Sequence, residues 1–156
     1  MSSTGAALAR GQSKQNYQTP VDFMQAVHKR FGDISWDLAA ETENTQCLNF
    51  FSEEENSFTK HWHSLPSGWL WLNPPFSNIE PWAKKCAEEM KLGARVLFLT
   101  PASIGSNWFT EHVAPNAYTL ALNPRLSFDG KNPYPKDCQL SVFCGGLNGF
   151  NTWRWK

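Results

Sequence analysis

The chain has 156 residues, 41% hydrophobic and 14% aromatic, which suits one packed globular domain and argues against a disordered chain. Fourteen basic residues balance fourteen acidic ones, so the chain cannot hold nucleic acid by bulk charge, and any such contact must come from a local patch. Cys47, Cys86, Cys138 and Cys144 show neither a CxxC pair nor metal-ligand spacing, and no leader or membrane-length apolar run is visible, which predicts a cytoplasmic protein with reduced thiols.

Residues 1 to 16 are rich in Ser, Ala, Gly and Gln and read as a flexible N-terminal arm, leaving 17–156 as a single domain. Thr19-Pro20 reads as a helix start, with Thr19 as N-cap and Pro20 at the first helical position. Val21, Met24, Val27, His28 and Phe31 follow at helical spacing, and Gly32 ends the run. Ile34 to Leu38 is a short strand carrying Asp37. Cys47 to Phe51 and Trp69 to Leu72 are two further apolar runs. Pro81 to Lys91 is helical, with Trp82, Cys86, Ala87 and Met90 on one face. Arg95 to Thr100 is a continuously apolar strand, as expected where both sheet faces are covered. A short helix over Asn107 to Val113 precedes strands at Tyr118 to Leu122 and Gln139 to Cys144. Alternating strands and helices, then two strands with no helix between, predict an α/β fold with a mostly parallel sheet ending in an antiparallel hairpin.

Asn73-Pro74-Pro75-Phe76 follows the third apolar run directly, where open α/β sheets place their ligands. The residue types suit chemistry on the exocyclic amine of a base. That nitrogen gives its lone pair to the ring and is a poor nucleophile. Two acceptors on its N–H groups push it toward tetrahedral geometry. An Asn side-chain oxygen supplies one acceptor. A backbone carbonyl supplies the other, fixed rigidly by prolines that lock φ and offer no competing N–H. Phe76 offers a face on which a base drawn out of a duplex can stack. Pro-Pro segments also mark ordinary turns, so the preceding strand and the following helix carry the functional reading.

Basic residues gather loosely at Arg10 and Lys14, at Lys60 to His63 and over Arg125 to Lys136, a pattern that an ordinary solvated surface also shows. His61-Trp62-His63 brings two histidines together. With no carboxylate or cysteine near them in sequence, and three or four ligands needed for a tight site, no metal is expected.

Taken in order, Thr19-Pro20, Asp37-Leu38-Ala39-Ala40 with Asn44 and Cys47, Phe50-Phe51 and its acidic stretch, Asn73 to Phe76, Trp82, Trp108-Phe109 and Arg125-Leu126-Ser127-Phe128 form an ordered motif set. On it the chain resembles the phage N-6-adenine methyltransferases, the Dam-like family of bacteriophages and prophages, over about residues 17 to 144. The resemblance implies a compact Rossmann-like methyltransferase fold that uses S-adenosylmethionine to methylate adenine in double-stranded DNA, with the target base flipped out. It implies catalysis by Asn73, Pro74, Pro75 and Phe76. Thr19 and Pro20 would touch the methionine part of the donor, with Ala39 and Ala40 small where the backbone comes close. Asp37 would bind the donor ammonium or order a loop amide. Glu53, or its neighbours Glu54 and Glu55, would accept the ribose hydroxyls, and Asn56 would read the donor adenine. Lys60, His61, Trp108, Arg125 and Lys131 are the candidate nucleic-acid contacts. Arg125 would touch phosphate or hold its loop closed, and Trp108 would line the base pocket or serve as core.

The sequence also departs from the family pattern. Asp37 to Glu41 contains no glycine, so the Gly-rich donor loop of larger methyltransferases is absent. Asn56 stands where Asp is expected. Between Asp37 and Asn73 there is room for two strands at most, so one strand should be reduced. No separate target-recognition domain fits, which leaves residues 123 to 137 and the arm to choose the site. The expected protein is a monomer or weak dimer in the bacterial host cytoplasm, away from membranes. Asn at the first motif position and Phe at the fourth favour adenine, whereas a Ser-led version would point to cytosine. The alternatives are a cytosine-amino or RNA base methyltransferase, and a non-catalytic phage protein that keeps the fold to bind DNA.

Overall fold

Helix α1 (Val21–Phe31) opens the part of the chain described by the computed structural model, residues 18–156. The predicted arm, residues 1 to 16, lies outside the described residues. Phe23, Met24 and Val27 form the buried stripe of α1, with Asp22 in its first turn and His28, Lys29 and Arg30 in its last, as the helix dipole favours. One expectation is corrected here. Pro20, not Thr19, holds the N-cap position, and its carbonyl accepts the Met24 N–H at 3.0 Å. Thr19 is buried and its hydroxyl is engaged elsewhere.

Six strands follow: β1 (Ile34–Asp37), β2 (Trp69–Leu72), β3 (Val96–Pro101), β4 (Tyr118–Asn123), β5 (Cys138–Phe143) and β6 (Gly149–Arg154). They form one sheet in the order β1-β2-β3-β5-β4-β6. β1, β2 and β3 pair in parallel, as do β4 and β6, and only β5 runs antiparallel to its neighbours. Side chains alternate between two cores. Leu70, Leu72, Val96 and Phe98 face helix α2 (Glu80–Lys91), which contributes Ala83, Cys86, Ala87 and Met90. Trp71, Leu97, Leu99, Leu120 and Leu140 face α1. Burial on both faces is what the unbroken apolar runs of β2 and β3 require.

The run Cys47 to Phe51 makes a single parallel bridge, Asp37 to Phe50, where the spacing expects a reduced strand. The short helix at Asn107 to Val113 is present, with its last five residues, Phe109–Val113, wound as a π-helix. One further expectation changes. The β4–β5 hairpin exists, but the sheet does not end on it. β5 inserts between β3 and β4, and β6 pairs with β4 from Tyr118–Gly149 to Asn123–Arg154 to make the edge. Gly149-Phe150-Asn151-Thr152-Trp153-Arg154 is mostly exposed and lacks the apolar alternation of a half-buried strand.

Because β1 to β4 point the same way, their carboxyl ends share one sheet edge. Asp37, the loop after Leu72, the loop after Pro101 and the connection from Asn123 to Cys138 therefore converge there. The Ala102 N–H donates to the Asp137 carbonyl at 2.8 Å and ties the last two together. Among the described residues no helix is long and apolar enough to cross a membrane.

Candidate active site

A cavity of about 390 Å³ opens at this edge, within the roughly 300–1,000 Å³ range of small-molecule and cofactor sites. Its floor is the segment after β1. Asp37, 2% exposed, accepts the Gln46 N–H at 2.9 Å and the Ala39 N–H at 3.3 Å. Asn44 Oδ1 accepts the Glu41 N–H at 2.8 Å, and the Glu41 carbonyl accepts from Asn44 and Thr45. This turn is built by side-chain caps, and none of its residues has a positive φ, so it closes without glycine. Burial pushes the Asp37 carboxyl up to about 7, against the opposing pull of the Gln46 and Ala39 amides. Of its two candidate roles, Asp37 visibly orders loop amides.

The second wall is residues 51 to 58. Glu53 borders the cavity and Glu54 and Glu55 do not; Glu55 instead caps the Ser52 N–H at 3.0 Å. Glu41 joins Glu53 at the rim, and its carboxylate accepts the Glu53 N–H at 3.1 Å. Asn56 sits at φ 58° in the left-handed region, which Asn tolerates better than most residues, and its Oδ1 accepts the Phe58 N–H at 3.2 Å. Phe58 and Trp82 pack with centroids 4.1 Å apart and ring planes tilted by 41°, and make an aromatic wall.

Asn73 and Pro75 form the third side, with Ala39, Ala40 and Thr19 also lining the space. Asn73 Nδ2 donates to Thr19 Oγ1 at 3.0 Å. Pro20 is half-buried and Pro74 is buried, and both lie outside the cavity lining. Phe76 turns away from the cavity into an aromatic trio with Phe128 and Tyr134. The three rings meet edge-on at 6.3, 6.1 and 5.3 Å. The loop bearing Phe128 and Tyr134 folds on itself. Leu126 is fully buried, its carbonyl accepts the Tyr134 N–H at 2.7 Å, and Asp129 caps the Lys131 and Asn132 amides.

A family model described as DNA N-6-adenine-methyltransferase (Dam) matches residues 7–139. The chain belongs to this family. It is 30% identical over 130 residues to the DNA N-6-adenine-methyltransferase of Escherichia phage T1, covering 83% of this chain and 54% of that protein. It is 29% identical over 84 residues to the DNA N-6-adenine-methyltransferase of Haemophilus phage HP1, covering 52% of this chain and 47% of that one. The chain thus spans about half the length of the curated relatives it matches.

For this Dam-family chain the structure gathers Thr19, Asp37, Ala39, Ala40, Glu53, Asn56, Asn73 and Pro75 around one cavity. The candidate DNA contacts are scattered. Lys60 lies 5.8 Å over the Phe51 ring, His61 packs beside His63, and Lys131 is exposed in the loop between β4 and β5. Trp108 is half-buried against Phe98 and Phe109, as a core residue would be. Arg125 donates to Asp137 at 2.8 Å and to the Pro135 carbonyl at 3.3 Å, which is the loop-holding role. Sequence reasoning missed Glu41, Gln46, Phe58 and Ser77 as lining residues. Glu41 and Gln46 reach the site through local caps that leave no pattern in the chain.

Proposed function

We propose that the protein transfers a methyl group from S-adenosylmethionine to the N-6 amine of adenine in DNA, using residues 17–156 as one Rossmann-like methyltransferase domain in the cytoplasm of a bacterial host. The observation that carries this reading is the Asn73-Pro74-Pro75-Phe76 loop, which stands between a cofactor-sized cavity and an aromatic trio. Family membership supports the same reaction.

The cavity residues fit the donor. The Phe58–Trp82 wall offers its adenine a stacking face, Glu41 and Glu53 offer the ribose hydroxyls acceptors, and Asp37 holds the floor amides beneath the methionine part. When bound, the donor supplies an electrophilic methyl on a sulfonium leaving group. Asn73 Oδ1 and a carbonyl of the Pro74-Pro75 segment accept from the two amine hydrogens, which localises the nitrogen lone pair. The N–C bond forms as the C–S bond breaks, and one amine proton passes to solvent. Thr19 holds Asn73 by its Nδ2, which leaves the Asn73 oxygen for the amine. Phe76, Phe128 and Tyr134 provide the surface on which the extruded base rests.

Sequencing that maps methylated adenines in DNA from cells expressing the protein tests this directly. N-6-methyladenine should appear with the wild type and vanish with Asn73→Ala, while calorimetry shows near-normal donor affinity for the variant. Unmethylated DNA with methylated RNA, or near-normal turnover by Asn73→Ala, overturns the reading.

A further inference from the structure

A second cluster of chemically able side chains lies outside the cavity. The 3₁₀ turn Trp62–Ser64 packs against the last turns of α2, which brings Glu89 to two histidines that are 26 and 28 residues away in sequence. His63 Nδ1 stands 2.7 Å from Glu89 Oε1, and the His61 and His63 rings are 5.7 Å apart between centroids. One ligand atom from each of the three lies within 4.8 Å of the others. In the sequence the two histidines have no third ligand near them, and the fold supplies one in Glu89.

We propose that His61, His63 and Glu89 bind a divalent transition metal ion of the zinc type. Two imidazole nitrogens and a carboxylate oxygen are the donor set of open zinc sites, where a water completes the tetrahedron. With metal–ligand bonds of about 2.0–2.2 Å, neighbouring ligand atoms sit roughly 3.3 Å apart, so the exposed His61 turns in, His63 Nδ1 and Glu89 Oε1 part from 2.7 Å, and the proton they share leaves to solvent as the ion binds. Glu89 is already held for the task. It is 5% exposed, its Oε1 accepts the His63 N–H at 2.9 Å, and Lys85 Nζ grips Oε2 at 3.2 Å. Such outer partners orient a metal ligand. The Lys85 charge also opposes the ion, which points to micromolar rather than tighter binding. Among the described residues the other cluster of this kind, Glu80, Glu111 and His112, offers one His and two well-exposed acids and serves as a control.

The ion would also brace the cavity. Between the two histidines, Trp62 is buried and its indole N–H donates to the Ser57 carbonyl at 3.1 Å and to Ser57 Oγ at 3.0 Å. Ser57 lines the cavity. Clamping the turn to α2 therefore stiffens the wall that carries Asn56 and Phe58. This consequence rests on the donor reading above; the binding itself does not.

Titrating the metal-free full chain with zinc chloride, and separately with cobalt chloride, tests the site. One equivalent should bind with micromolar affinity, cobalt should show the visible absorption of a low-coordinate nitrogen–oxygen site, and the melting temperature should rise. His61→Ala, an exposed change that leaves the metal-free melting temperature unaltered, should weaken binding at least about tenfold. His112→Ala should bind as the wild type does. If the wild type binds no better than the His61→Ala/His63→Ala double variant, or if His112→Ala abolishes binding, the proposal fails. One-to-one zinc binding without any heat from S-adenosylmethionine would sink the donor reading and leave the metal site standing.

Discussion

Asn73 and Thr19 are 54 positions apart, yet the amide nitrogen of one donates to the hydroxyl of the other at 3.0 Å beside the cavity. Thr19 is 3% exposed, so this bond has little competition from water. Thr19→Val keeps the shape and removes the acceptor, which frees the Asn73 amide to rotate. Steady-state kinetics should show kcat lowered about tenfold, matching a net bond of about 1–1.5 kcal/mol, with donor affinity changed far less. Thr19→Ser should restore most of the rate. An unchanged kcat for the Val variant would remove Thr19 from the positioning of Asn73.

Asp37 makes stability depend on pH in an unusual direction for an acid. Burial raises its folded value to about 7 from an ordinary 3.8, so between those values the folded state holds more protons than the unfolded one. Its contribution is complete below about pH 4, declines as pH rises toward 7, and is lost above that. By linkage the decline amounts to as much as about 4 kcal/mol. Urea unfolding at pH 5 and pH 8 should show more than half of this fall in the wild type and a flatter profile in Asp37→Asn. An identical slope in both proteins would refute it.

The rings of Phe76, Phe128 and Tyr134 meet edge-on in a group that bridges the motif loop and the loop between β4 and β5. Phe128→Ala should lower kcat/KM on duplex DNA about 10- to 100-fold, the range expected for one lost base–aromatic stack, with donor binding within about twofold of normal. Combining it with Phe76→Ala should cost less than the two separate losses summed, since the rings touch.

Arg125 is engaged with Asp137 and Pro135. Replacing it with Ala should leave the salt dependence of DNA binding unaltered, whereas a phosphate contact would reduce that slope by about one. Stability should change by less than about 1 kcal/mol, because both partners are roughly half exposed.

The last residues hold α1 in place. Phe23 packs on Trp153 and Trp155 at 5.8 and 5.2 Å, and the Trp155 indole donates to the Pro124 carbonyl at 2.7 Å. Trp155→Ala should cost about 2 kcal/mol in denaturant unfolding, less than a fully buried tryptophan because the residue keeps some exposure.

What the sequence made legible was local. The apolar runs of β2 and β3, the stripe of α1 and the Asn-Pro-Pro-Phe loop after Leu72 are contiguous signals, and that loop borders the cavity through Asn73 and Pro75. What it hid was pairing at a distance. Nothing near Thr19 reveals that it meets Asn73, and nothing near His63 reveals Glu89. The edge strand β6 escaped because its register with β4 depends on a neighbour about 30 residues earlier, not on its own pattern. The choice of Glu53 over Glu54 and Glu55 came from the turn in which Glu55 caps Ser52.

The contact of Trp153 and Trp155 with Phe23 sets an order of events during synthesis. Helix α1 packs on Trp71 and the inner face of β2 to β5, but Phe23 lacks its outer cover until Trp153 and Trp155 have been made. The Lys156–Asp22 ion pair at 3.0 Å joins the same two ends. A nascent chain halted before residue 149 therefore leaves one flank of the α1 stripe and the open edge of β4 unshielded, which exposes it to chaperones and proteases.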